Sequence, residues 1–288
     1  MSLSHEFVNV AENIFSDNPT FKQISQKKSA LFDYRAGIAK WRIWTLLAYQ
    51  DIQLRYRRSI LGPFWITLSM AITVYSMGYL YSKLFKVDLT HYYPFLVSGM
   101  LSWALISSMI TDYTEGFILA ESLIKQIKLP YTLYIHRIAY RNLLIFFHNI
   151  IVIVPILLIY HQTAKINLNT LILIPGLLVI YINAISFGLI ISMLGARYRD
   201  IGQVIKSLLQ VIFFVTPIMW SPDILGEKNQ IIIILNPIYP FVELIRQPLL
   251  GAIPSLRSME IALIISMISL FISHKIFSSY RARIVYWL

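Results

Sequence analysis

A membrane-embedded hydrolase or transferase needs clustered carboxylates, histidines, or a nucleophile beside a base, and this sequence offers little of these. His148 is the only histidine near the middle of an apolar run, while His91, His161 and His274 sit near the ends of such runs. A lone histidine there, like Asn149 and Asn183, reads more simply as a hydrogen-bonding group between helices than as a ligand. No H-x-x-x-H or H-E-x-x-H spacing puts two metal ligands on one helix face. None of the eleven glycines precedes a lysine, so the phosphate-cradling loop with its lysine is absent. There is no cysteine, hence no thiolate chemistry and no Cys-based metal site. Asp112 falls at the end of the second apolar run, where it is expected to be solvated, and the runs hold almost no other carboxylate to relay protons.

Three charged motifs have more to offer. Arg55, Arg57, Arg58 and Ser59 precede Leu61-Gly62-Pro63, where a surface helix turns into an apolar run. Arginines at that depth can hold phosphates by bidentate hydrogen bonds, although snorkelling to ordinary lipid headgroups is an equally good reading of any one of them. Glu115–Lys128 reads as a short helix ended by Pro130, compact enough to sit in a socket on a partner. Arg197-Tyr198-Arg199-Asp200 caps the fourth apolar run. Within the runs the distinctive surface is aromatic: Trp65, Tyr75, Tyr79 and Tyr81 in the first, Phe213, Phe214 and Trp220 in or near the fifth. Interfacial belt and packing account for such residues, and a stacking surface for sugar rings is the alternative.

The elements that carry these residues follow from composition. Apolar residues make up 57% of the 288 positions and charged residues 14%, against about 45–50% and about 25% in soluble domains. Uncharged runs of about 20 residues recur, each long enough to cross a bilayer. The pattern predicts an all-α integral membrane protein with six spans, at about 60–82, 92–113, 142–160, 171–194, 204–219 and 259–277. Basic residues divide 19 against 6 between the two sets of loops, which predicts both termini in the cytoplasm. That asymmetry explains the net charge of +11 without any nucleic acid. The first 20 residues contain Glu6, Glu12 and Asp17 and no apolar stretch, so the first span is expected to act as the insertion signal.

Residues 37–58 read as an amphipathic helix on the membrane surface, with Trp41, Trp44, Ala48 and Ile52 on one face. Residues 1–36 are polar and mixed in charge, a flexible or loosely packed cytoplasmic extension to a single transmembrane domain at 37–288. The stretch 221–258 is interrupted by Pro222, Pro237, Pro240, Pro248 and Pro254. It reads as short re-entrant helices between the fifth and sixth spans rather than a seventh crossing, and hence as a candidate gate.

RYRRSILGPFW (Arg55–Trp65), SLIKQIKLP (Ser122–Pro130), ARYRDI (Ala196–Ile201), TPIMW (Thr216–Trp220) and LNPIYPFVELIRQPLLG (Leu235–Gly251) occur in that order. Together they resemble the membrane subunit of ABC-type polysaccharide exporters, the family that exports O-antigen, teichoic acid or capsule, and most of all its O-antigen permeases. The resemblance runs from about Trp41 to the C-terminus. It implies a bacterial inner-membrane homodimer bound to two ATP-binding subunits, with ATP and Mg on those partners and no cofactor or metal here. It implies a coupling helix with Glu121, Lys125, Lys128 and Pro130, a second ATPase contact at Arg199 and Asp200, and an outer gate at Asn236, Pro237, Glu243 and Arg246. By the same resemblance Trp65, Tyr75, Tyr79, Phe213 and Phe214 would line the channel. Arg55, Arg57 and Arg58 would lie where an undecaprenyl-pyrophosphate-linked glycan comes in from the inner leaflet.

The expected function is therefore ATP-driven export of a lipid-linked polysaccharide, with hydrolysis in a separate subunit and no enzymatic chemistry in this chain. An ABC permease for a drug or small lipid is the alternative within the class. A membrane-embedded glycan-lipid enzyme would need a carboxylate or histidine cluster that the sequence lacks, and a plain scaffold would leave the arginine cluster and the broken 221–258 segment unexplained.

Overall fold

The computed structural model describes residues 19–62, 64–160, 166–222, 233 and 235–288, and all regular structure among them is helical. Helices α1 (Pro19–Ala39) and α2 (Trp41–Arg55) lead to α3 (Phe64–Phe85) and α4 (Leu89–Thr114). A run of turns precedes the short α5 (Glu121–Gln126), then α6 (Tyr131–Asn149), a 3-10 turn, and α7 (Ile153–Ile159). A second 3-10 turn opens α8 (Leu173–Arg197), followed by α9 (Ile201–Val215), α10 (Tyr239–Leu249), α11 (Leu256–Tyr280) and a final turn, α12 (Ile284–Trp287).

Among the described residues, four stretches are long and apolar enough to cross a membrane: Leu89–Thr114, Tyr131–Ile159, Leu168–Arg197 and Leu256–Trp287. The first has 26 residues, which at a rise of about 1.5 Å each exceeds the hydrocarbon core of about 30 Å. Helix α3 has 22 residues, but Trp65, Tyr75, Tyr79, Tyr81 and Lys83 dilute its apolar character. Helix α9 is apolar but has only 15 residues, about 22 Å of rise.

Capping residues decide where several helices begin. Asp88 accepts from the Thr90 amide ahead of α4, the Asn167 side chain accepts from the Asn169 amide ahead of α8, and Ser255 accepts from the Ser258 amide in α11. Helix α4 lies at the centre of the bundle, with Leu96, Val97, Leu101 and Leu105 buried and α3, α6, α8, α9 and α10 packed around it. Helix α11 packs on α8 through a face of small residues, Ser258, Ala262, Ser266, Ser269 and Ser273. Ser266 accepts from the Asn183 amide and Ser269 donates to its carbonyl oxygen, the small-residue and hydrogen-bonded packing that membrane helices use in place of hydrophobic burial. The opposite face of α11 (Ile264, Met267, Ile268, Phe271) is exposed and apolar, as contact with lipid requires.

Several expectations need correction. The third apolar run belongs to a helix that starts at Tyr131 and not near 142, so Arg137 and Arg141 are helical rather than in a loop. The fifth run ends at Val215 instead of 219, because Pro217 holds Thr216 extended (ψ 133). The surface helix is two helices broken at Lys40, and Trp41 turns outward at 55% exposure while Ala48 and Ile52 are buried. Residues 29–36 are not loose: they lie in α1, which packs on α6 and α11, with Ala30 and Asp33 buried, while residues 1–18 lie outside the described residues. Asp112 is not left to solvent but accepts from Arg141 and Asn142. His148 bonds back to the Leu144 carbonyl of its own helix rather than across to another. The 221–258 segment lies partly outside the described residues. Its described helix, α10, is wedged among α4, α8 and α11.

Candidate functional site

The ends of α4, α8 and α11 and the start of α6 meet at one end of the bundle, where Arg137, Arg141, Arg197 and Arg281 gather. At this basic end α4 gives way to tightening turns, Ala120 N to Phe117 O and Glu121 N to Ile118 O, so the expected helix over 115–128 shrinks to α5. Phe117 and Ala120 are buried and root the segment, and Ser192 of α8 donates to the Tyr113 carbonyl at 2.9 Å. A side chain at Gly195 would collide with the Thr114 carbonyl, which is why the two backbones can touch. The α5 helix itself buries no residue. On it Lys125 Nζ bonds Glu121 Oε1 at 2.6 Å, and Lys128 and Ile127 stand exposed. The Lys125 hydrogen bond, with Arg199 adding to it, holds the Glu121 carboxyl below the usual range. Because Gly195 lies against Thr114, exposed Arg199 and Asp200 just after α8 stand at the same end of the bundle as Glu121 and Lys125. Pro130 is buried and closes the segment as the residue before α6.

Arg55 ends α2, and Arg57 and Arg58 follow, all three exposed and with no side-chain hydrogen bond or ion pair among the described residues. Arg58 sits at φ 70, in the left-handed region that a non-glycine residue occupies only under constraint. The turn is completed by Gly62 at φ 55, and Ile60 and Leu61 point outward beside it. An unpartnered guanidinium cluster flanked by exposed apolar side chains suits a ligand with both an anionic and a hydrocarbon part.

Helices α3 and α9 both pack on α4. Each presents a polar stripe outward. On α3 it is Trp65, Ser69, Thr73, Ser76, Tyr79 and Lys83; on α9 it is Gln203, Lys206, Ser207 and Gln210, continuing into Phe214. The Ser69 and Thr73 hydroxyls donate back to their own helix at 2.8 and 2.9 Å, leaving their lone pairs outward. Gln203, Lys206 and Gln210 have no side-chain partner among the described residues. The expected channel aromatics separate into two groups. Trp65, Tyr79 and Phe214 lie on the stripes, with exposures of 51, 59 and 66%. Tyr75 points inward and donates to the Val152 carbonyl at 2.6 Å, and Phe213 is half-buried against Trp103 with ring centroids 5.5 Å apart.

At the opposite end, α10 is tied to the break after α9. Asn236, in the turn before α10, accepts from the Ile238 and Tyr239 amides and donates to Thr216 Oγ1 at 2.8 Å. Arg246, with no exposed surface, donates to the Pro217 carbonyl at 2.7 Å and lies 4.1 Å over the Phe95 ring. Glu243 is buried and accepts from Gln247, and Pro237 lines an apolar cavity of about 260 Å³ between α4 and α8. Beside the Arg246–Pro217 contact a cavity of about 190 Å³ is walled by His91, Tyr92, Phe95 and Trp220. The expected gate residues Asn236 and Arg246 therefore converge on Thr216–Ile218.

Sequence reasoning missed the hydroxyl and amide stripes and the charges on Asp51, Arg137 and Arg141. The stripes carried a readable signal, polar residues at i, i+3, i+4 and i+7 within an apolar helix. The charges did not, because their partners lie 86 and 90 residues apart.

Comparison with known proteins adds the following. The family model described as ABC-2 type transporter matches residues 42–250. The chain is 25% identical over 197 residues to O-antigen export system permease protein RfbA of Klebsiella pneumoniae, covering 67% of this chain and 74% of that one. A second Klebsiella pneumoniae protein of the same name is 22% identical over 242 residues, covering 83% and 92%. One from Myxococcus xanthus is 20% identical over 198 residues, covering 66% and 74%.

Proposed function

The chain belongs to the ABC-2 type transporter family, and from that premise we propose that it is the permease of an ATP-driven exporter of a lipid-linked, O-antigen-like polysaccharide. The family membership makes it a transporter membrane subunit, and its helices suit a multi-pass inner-membrane protein. On this reading α3, α4, α6–α7, α8, α9 with the residues after it, and α11 make six crossings, and α10 is the re-entrant helix. The basic end faces the cytoplasm, with both termini there. Two ATP-binding subunits, carrying ATP and Mg, dock at Glu121–Pro130 and Arg199–Asp200, and this chain performs no hydrolysis itself. The Arg55–Arg58 cluster receives the pyrophosphate of the lipid carrier.

The observation that carries the proposal is the pair of polar stripes on α3 and α9. Lipid offers no partner to Gln203, Lys206 or Gln210, so such residues face a partner helix or a watery path. Uncharged amides, hydroxyls and exposed Trp65, Tyr79 and Phe214 are the groups a neutral sugar chain would use, by hydrogen bonds to its hydroxyls and stacking on its C–H faces. A second copy of the chain, facing α3 and α9, would enclose that path. An apolar cargo would find these stripes unfavourable, which argues against a drug or small lipid.

The test is export in a strain lacking the chromosomal copy. Gln203→Leu with Gln210→Leu removes two hydrogen-bonding groups worth about 1 kcal/mol each, so surface polysaccharide should fall by roughly thirtyfold while glycan accumulates inside. The apolar control Ile264→Val, on the lipid-facing side of α11, should export normally. Normal surface polysaccharide from the double glutamine variant would sink the proposal.

A further inference from the structure

The segment read above as the ATPase dock joins α4 to α6, and both of its flanks carry buried charge. Asp112, two residues before α4 ends, accepts from Arg141 Nη2 and from Asn142 Nδ2, each at 2.8 Å. Arg141 Nη1 reaches Asp51 of α2 at 2.9 Å. Arg137 meets the same carboxylate with two bonds, Nε to Oδ2 at 2.8 Å and Nη2 to Oδ1 at 2.5 Å. Two carboxylates and two guanidiniums thus close a neutral cluster across three helices. Its side chains are only 10 to 23% exposed. Apolar burial of Ala48 and Ile52 and the stacking of Trp44 on His136 complete the seat of α2 on α6. Asp51 lies one helical turn before Arg55, where the exposed arginine cluster begins.

Buried ion pairs seldom add stability over apolar residues of the same size. What a bidentate arginine–carboxylate pair does add is direction, because it fixes the register of one helix on another. We propose that Asp51, Arg137, Arg141 and Asp112 form the mechanical link between the docking segment and the arginine cluster. Displacement of 115–130 shifts the end of α4 and the start of α6. Since Asp51 is bonded to Arg137 and Arg141, α2 is carried with them, and Arg55, Arg57 and Arg58 move in step with the ATPase. These four are positioning residues. The link rests on the reading of 115–130 as the dock.

Two measurements test it, using Asp51→Asn, Arg137→Lys and Asp51→Glu. In the permease alone in lipid nanodiscs, Asp51→Asn should speed amide hydrogen exchange across 41–55 and leave α8 and α11 as in wild type. In the complex with its ATP-binding subunit, Asp51→Asn and Arg137→Lys should keep copurification and basal ATP hydrolysis. Both should lose about 2- to 30-fold of the stimulation by a pyrophosphate-linked lipid, the range for a residue on a coupling route, and Asp51→Glu should restore most of it. Unchanged exchange in 41–55, or undiminished stimulation in Asp51→Asn, would overturn the link. A wild-type permease that binds no ATP-binding subunit would instead overturn the docking reading, while the exchange result still decides whether α2 is tied to α6.

Discussion

Asp33 has no exposed side-chain surface, yet every one of its partners is far away in sequence. Its carboxylate accepts from the Tyr131 and Thr132 amides at 3.1 and 3.0 Å and from Thr132 Oγ1 at 2.9 Å. It also pairs with Arg281 at 2.9 Å, 248 residues away. An acid at the first amides of α6 meets the positive end of the helix dipole as well. Asp33→Ala would leave the Tyr131 and Thr132 amides without this acceptor and Arg281 with Ser29 as its remaining hydrogen-bond partner, and should cost about 1–3 kcal/mol, the penalty for unsatisfied buried groups. Denaturation of the purified permease measures it. The Asp33→Ala, Arg281→Met double variant should lose less than the sum of the singles, because both remove one interaction. Nothing in the sequence marked Asp33, which sits in a polar stretch that looked like an extension. Arg58 makes a different case. Its left-handed backbone is tolerated by asparagine, so Arg58→Asn should keep the turn while removing charge. Melting temperature should stay as in wild type, and stimulation by a pyrophosphate-linked lipid should drop.

Helix α5 is six residues long and buries none of them, so its own stability comes from the turns that root it and from the Lys125–Glu121 pair. Lys125→Glu with Lys128→Glu would set two carboxylates one turn apart and invert the charge of the exposed surface. Copurification with an ATP-binding subunit should weaken at least several-fold while membrane insertion stays intact, and undiminished copurification would count against α5 as the dock. Such a surface element was readable in sequence because Pro130 and the charges at 121–128 bound it. Its length was not, since the turns at 115–120 are set by the packing of Phe117 and Ala120. The same contrast runs through the spans. Apolar runs revealed α4, α8 and α11 almost to their ends. Helix α6 runs back past Arg137 and Arg141 because their charges are paired with Asp51 and Asp112, which a hydropathy profile cannot see. The end of α9 was read past Pro217, the residue that in fact stops it, and the proline-rich stretch after it was legible only as a break.

The arrangement of the whole chain makes one further demand, on which side of the membrane each turn lies. Asn167 and Asn169 both donate to the Gly251 carbonyl, at 2.8 and 3.0 Å, so the loop before α8 and the loop before α11 share one end of the bundle. Arg197 lies over the Trp287 ring and Arg281 pairs with Asp33, so α1, the end of α8 and the C-terminus share the other. A chain without cysteine reports this directly, because single introduced thiols have no background. Leu168→Cys and Ile253→Cys, exposed at 83 and 58%, should react with an impermeant maleimide in intact spheroplasts. Ser122→Cys and Tyr286→Cys, both exposed at the basic end, should react only after permeabilisation. The inverse pattern would refute cytoplasmic termini. A split between Leu168→Cys and Ile253→Cys would refute six crossings, because α8 and α9, which lie between them, would then not form an up-and-back pair. Agreement between them, with α10 sealed between α4 and α8, leaves the break at Thr216–Ile218 as the place where the short α9 has to end. Asn236 and Arg246 hold that break, and if the proposed export path opens at this end their bonds to Thr216 and Pro217 must move together.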